Sequence, residues 1–132
     1  MDRLFLDANV LFSAAYRPDA GLLRLWKLKV VELITSAYAM EEARLNLAEK
    51  DQRARLESLQ RSLRVVAGAA DRALPRGVDL PLKEHPILLA AIEARATHLL
   101  TGDKEHFGRY FGRMVEGVRI MTPGDYLRGR GE

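Results

Sequence analysis

Asp7 directly follows the apolar segment Leu4-Phe5-Leu6, and Asp103 follows Leu99-Leu100-Thr101 one glycine on. Continuous apolar runs are how buried strands of a parallel sheet read. In open α/β sheets, ligands bind beyond the carboxyl ends of the strands, where strand order reverses. If the two segments are neighbouring strands at that point, the two carboxylates face one crevice. Further candidates for such a cluster are Glu41 and Glu42, inside an expected helix, and Glu84, just before Pro86. Carboxylates held together repel one another, which raises some of their pKa values. A hard divalent cation such as Mg2+ or Mn2+ relieves that repulsion, activates a water and neutralises charge building on a phosphodiester.

Each acid also has a reading without chemistry. Asp7 caps a helix starting at Ala8. Asp103 belongs to a Gly-Asp turn. Glu41 and Glu42 form a surface pair, although a helical wheel sets Glu42 between Tyr38 and Leu45. Glu84 complements the dipole of the helix after it. Of the three histidines, His98 reads as a packed or surface residue of a strand, and His106, after Lys104-Glu105, as a residue that could touch substrate but better fits a solvated loop. There is no cysteine, which excludes disulfide scaffolds, thiolate metal sites and cysteine nucleophiles and fits a cytoplasmic location.

The elements that must position these acids alternate between strand and helix. Strands are predicted over 3–6, 30–35, 64–67, 97–101 and 117–121. Helices are predicted over 8–15, 22–28, from Thr35 or Ser36 to about Ala48, 51–62, from Pro86 to about Arg95, and from Thr122-Pro123 onward. Gly68, Pro75, Gly77 and Pro81 make 68–82 a loop. This alternation implies a parallel sheet covered by helices on both faces. The 132 residues suit one compact domain, 48% hydrophobic, with no apolar run approaching a membrane span. The net charge of +3 is compatible with a polyanionic partner. Some of the arginines at 53, 55, 61, 64, 109, 113, 119 and 128 are expected to approach the acids and hold phosphates.

Four stretches, in order, resemble the motifs of PIN domains. Leu4-Phe5-Leu6-Asp7-Ala8-Asn9-Val10-Leu11 is similar to their opening strand and first acid. Met40-Glu41-Glu42-Ala43-Arg44 resembles the second motif, with Glu42 as its acid. Glu84-His85-Pro86-Ile87-Leu88-Leu89-Ala90-Ala91 resembles the third, and Leu99-Leu100-Thr101-Gly102-Asp103-Lys104 the fourth. The resemblance implies a single domain over 1–132 with a three-layer α/β/α PIN-like fold and a central parallel sheet of about five strands. It implies an Mg2+ or Mn2+ site formed by Asp7, Glu42, Glu84 and Asp103, with Asn9 and Thr101 as polar helpers. It further implies an endoribonuclease acting on single-stranded or structured RNA, a VapC-like toxin restrained by an antitoxin protein. A homodimer is expected from the same resemblance and from the apolar first half of the chain, including Trp26. The chain departs from the family at Glu84, where aspartate is usual.

Two rival functions follow from the same residues. One keeps the fold and drops the chemistry, leaving a nucleic-acid-binding or regulatory module with weak or no nuclease activity. The other is a phosphoacceptor receiver domain, which wants an adjacent acid pair after the first strand and a lysine after the last. This chain reads Leu6-Asp7-Ala8 and Ile120-Met121-Thr122 at those places.

Overall fold

The computed structural model describes residues 1–68 and 72–131; residues 69–71 of the loop predicted over 68–82, and residue 132, lie outside it. Strand β1 (Asp2–Leu6) buries Leu4, Phe5 and Leu6 completely and leads into helix α1 (Ala8–Tyr16). A 3-10 helix, Gly21–Lys27, stands where an α-helix was predicted over 22–28, and it buries Leu25. Next come β2 (Val31–Ser36), α2 (Ala37–Asn46), α3 (Lys50–Gln60) and β3 (Leu63–Val66). A short 3-10 turn, Leu82–Glu84, precedes α4 (His85–Glu93), whose N-terminal turn contains Pro86. The chain continues through β4 (His98–Leu100), α5 (Lys104–Phe107), β5 (Met114–Val115), β6 (Val118–Met121) and α6 (Pro123–Gly129).

The sheet order is β3-β2-β1-β4-β6-β5. All neighbours run parallel except β5, which pairs antiparallel with β6. The five parallel strands agree with the expected parallel sheet of about five, and β5 is an added antiparallel edge strand. It has two residues, too few to show a pattern, and it turns back through Glu116 (φ 45°) and Gly117 (φ 85°). Positive φ at both central residues is the geometry of a two-residue hairpin, which a Gly at the second position makes inexpensive.

Chain order reverses between β1 and β4. From β1 the sheet grows one way to β2 and β3, then resumes on the other side with β4 and β6. Leu6 pairs with Leu100, so Asp7 and Thr101 emerge side by side at the carboxyl end of the sheet. Helix α1 packs against both α2 and α3. Right-handed crossovers put α1 and α3 on one face and α4 on the other. Local caps stop the strands where they do: Ser36 accepts from the Ala39 amide at 3.1 Å and Thr122 from the Asp125 amide at 3.0 Å. No helix among the described residues is long and apolar enough to cross a membrane.

Candidate metal centre

Asp7 caps α1 and also faces the crevice, so its two readings hold together. One carboxylate oxygen accepts from the Ala8 amide at 2.7 Å. The other accepts from the Thr101 hydroxyl at 2.8 Å and from Asn9 Nδ2 at 3.1 Å. Asp7 is 3% exposed, and burial pushes its carboxyl up, against the pull of the Thr101 and Ala8 hydrogen bonds. The Glu42 and Asp103 charges push it further the same way.

Asn9 and Thr101 join the two strand ends. Asn9 Nδ2 donates to Thr101 Oγ1 at 3.2 Å, and Asn9 Oδ1 accepts from the Gly102 amide at 2.8 Å. Thr101 Oγ1 also accepts from the Asp103 amide at 3.1 Å. An extra Cβ at Gly102 would stand 3.4 Å from Asn9 Oδ1, so the turn leading to Asp103 is closely packed here. These three contacts lock the Gly102-Asp103 turn against the start of α1.

Asp103 caps α5 by accepting from the His106 amide at 3.1 Å, and its second oxygen lies 2.8 Å from His106 Nδ1. His106 therefore belongs to the cluster rather than to a solvated loop. The signal for this was its spacing: three residues after an N-cap aspartate, a side chain returns over the cap within one helical turn. Glu84 reaches the same place from a different element. A donor atom from each of Glu84, Asp103 and His106 lies within 4.8 Å of the other two.

Glu84 stands at the N-cap of α4, yet its side chain caps no backbone amide. Its carboxyl is pushed up to about 7, first by burial and then by the charges of Asp7, Asp103 and Glu42, with His106 pulling the other way. Glu42 lines the same cleft as Asp7 and Glu84, together with Ala8, Asn9, Phe12, Ala43 and Asn46. Its neighbour Glu41 is exposed and pairs with Arg44, so the two glutamates face apart. The four acids thus form two overlapping groups that share Glu84: Asp7 and Glu42 in a cleft of about 390 Å³, and Asp103 with His106 beside it. Among the described residues, none of Asp7, Glu42 and Glu84 forms an ion pair.

Tyr38 is a second residue that sequence reasoning passed over. Its hydroxyl donates to the Lys83 carbonyl at 2.9 Å, tying α2 to the turn that carries Glu84. Burial and the charges of Glu42, Glu84 and Asp7 push its phenol up, so it feels the same field. None of the arginines named from the sequence lines the acidic cleft itself. Arg53 donates to the Leu47 carbonyl at 2.8 Å, and Arg55 to the Ala15 and Tyr16 carbonyls at 3.0 and 3.2 Å. These two close the C-terminal ends of α2 and α1, where carbonyls lack helical partners. Arg64 binds Glu32, and Arg119 binds the Gly112 carbonyl. His98 packs edge-on against Tyr126 with ring centroids 5.0 Å apart, as a packed residue should.

No protein-family model and no curated protein matches the chain. Solved structures do. A chain of VapBC2 from Rickettsia felis, solved bound to a DNA fragment from its promoter, superposes with a TM-score of 0.64 at 14% identity, covering 91% of this chain and 98% of that one. A chain of FitAB bound to an IR36 DNA fragment superposes with a TM-score of 0.55 at 19% identity, covering 91% and 94%. At such identities the likeness is one of fold. The chain has the PIN-like α/β fold that its four ordered motifs imply, and shares it with chains of these two complexes.

Proposed function

We propose that the chain is a divalent-metal-dependent endoribonuclease, with Asp7, Glu42, Glu84 and Asp103 as the ligands and acids of the site. The observation that carries this reading is charge without compensation. Asp7 is buried among neutral donors, with Glu84 and Glu42 in the same cleft, and among the described residues no Lys or Arg lines that cleft. Buried charges are ordinarily paired or bound to metals. The donors are mostly carboxylate oxygens, which fit Mg2+ or Mn2+.

The chain's own residues then divide the work. Thr101 and Asn9 hold the Asp7 carboxylate in one orientation, and Asn9 also fixes the Gly102 amide beside Asp103. Tyr38 steadies the turn bearing Glu84. A bound divalent ion supplies an activated water and neutralises the phosphodiester. Clefts lie on either side of Asn9, the acidic one and a second of about 480 Å³ lined by Val10, Ser13, Leu22, Asp103 and Pro123. A single RNA strand crossing from one to the other brings a phosphate past the carboxylates.

The likeness to chains of VapBC2 and FitAB supports the toxin of a toxin-antitoxin pair, with an antitoxin protein as partner, in the cytoplasm. A homodimer belongs to the same reading, although Trp26 does not argue for it: its indole donates inward to the Leu59 carbonyl at 3.1 Å. Light scattering at micromolar concentration should return twice the chain mass, and a monomer refutes the dimer. The main test is cleavage of labelled single-stranded RNA in Mg2+ or Mn2+. Asp7→Asn and Asp103→Asn should each abolish it, and their effects should not add, since both serve one site. A parental rate in Asp7→Asn refutes the assignment of Asp7 to the active site, whereas a parent that binds RNA without cutting it in either metal is the binding module of the rival reading.

A further inference from the structure

The carboxylate centre has a nitrogen among its donors. Two of the three histidines are committed elsewhere: His85 Nε2 lies 3.0 Å from the Leu80 carbonyl, and His98 Nδ1 lies 2.8 Å from Thr97 Oγ1. His106 alone faces the acids, with Nδ1 2.8 Å from Asp103 Oδ2. One helical turn holds this pair, because the His106 amide donates to the other oxygen of the same carboxylate at 3.1 Å. Glu84 comes to them from outside that turn, and its carboxylate makes no hydrogen bond among the described residues. Two donors that share one octahedral ion at about 2.1 Å stand about 3.0 Å apart. The observed spacing of 2.8 Å therefore accommodates a shared ion without remodelling α5. Buried Asp7, which has only neutral donors, points independently to a cation at this end of the sheet.

We propose that His106 is a ligand of the divalent ion, giving the centre a mixed nitrogen and oxygen donor set that holds Mn2+ in preference to Mg2+. The inference rests on the metal-dependent reading above and goes beyond the four acids that the family resemblance supplies. Its chemistry is general: Mg2+ demands oxygen ligands and keeps its waters, whereas imidazole suits transition-metal ions.

Pulsed EPR of Mn2+ bound to the full chain reads the ligands directly, without reference to cleavage. The parent should show the nitrogen modulation of a coordinated imidazole, and that pattern should change when histidine is labelled with 15N. His106→Gln should lose it, with Mn2+ affinity falling at least about tenfold and Mg2+ affinity, measured by competition, changing little. Bound Mn2+ with no nitrogen coupling in the parent overturns the inference and leaves the metal centre standing. So does a nitrogen coupling that survives in His106→Gln. Failure of the parent to bind Mn2+ at all removes the metal-dependent reading and this inference with it. The decisive spectrum is that of the parent, so a poorly folding variant does not obscure the result.

Discussion

Glu84→Gln should make the metal-free protein more stable at alkaline pH while weakening its hold on metal. The Glu84 carboxyl titrates at about 7 rather than 4.5, because burial and three neighbouring carboxylates disfavour its ionised form. A displacement of that size corresponds in full to roughly 3 kcal/mol. Glu84 is only half-buried, and solvent screening reduces the figure to about 1–2 kcal/mol. The sign follows from linkage. The fold favours the protonated carboxyl, so the contribution is complete below about 4.5 and is lost as pH rises through about 7. Glutamine keeps the shape and removes the charge. In chelator at pH 8, Glu84→Gln should therefore melt roughly 3–8 °C above the parent, with no advantage at pH 4.5. His106 is itself pushed up by its hydrogen bond to Asp103, and it adds a pH dependence in the same direction. Parent and variant are accordingly compared at each pH by calorimetry. Saturating Mn2+ should reverse the order, since the ion relieves the repulsion only where the carboxylate exists. If Glu84→Gln shows no gain at pH 8 and binds Mn2+ as the parent does, the acids do not act on one another and Glu84 is merely the residue before α4.

Glu84→Asp, which restores the family's usual residue, should keep or raise single-turnover cleavage; a complete loss would mean that the longer side chain is required by this backbone. Thr101→Val should cost about 1–3 kcal/mol by thermal melting, because it strips Asp7 of a hydroxyl donor, leaves the Asp103 amide without its acceptor and removes one of the two acceptors of Asn9 Nδ2. The same variant should push the Asp7 carboxyl further up, readable by NMR titration, and an unchanged titration would show that Thr101 does not govern Asp7.

The strand ends were legible without coordinates. Leu4-Phe5-Leu6 and Leu99-Leu100 are apolar on both faces, as the buried strands of a parallel sheet are, with Asp7 directly after the first and Asp103 after Thr101-Gly102 beyond the second. The hairpin strand Met114–Val115 was not legible, since two residues carry no periodicity and the edge pairing depends on β6 being already in place. The 3-10 course of Gly21–Lys27 has the same cause: its leucines show that it is buried, not which turn type the space beside α6 allows.

At the centre the division is sharper. Residue types and their order placed an acid at the end of each of two apolar strands; that these strands are neighbours where strand order reverses was decided by the pairing of β1 with β4. Only the tertiary structure decided which groups touch. His106 lies with Asp103 and Glu84, and Tyr38 holds the turn of Glu84 from 45 residues away. Arg53 and Arg55, which look like phosphate-binding groups along the chain, are spent on the carbonyl ends of α1 and α2. A charged side chain's role is set by the nearest unsatisfied partner, and that partner exists only once the helices have packed.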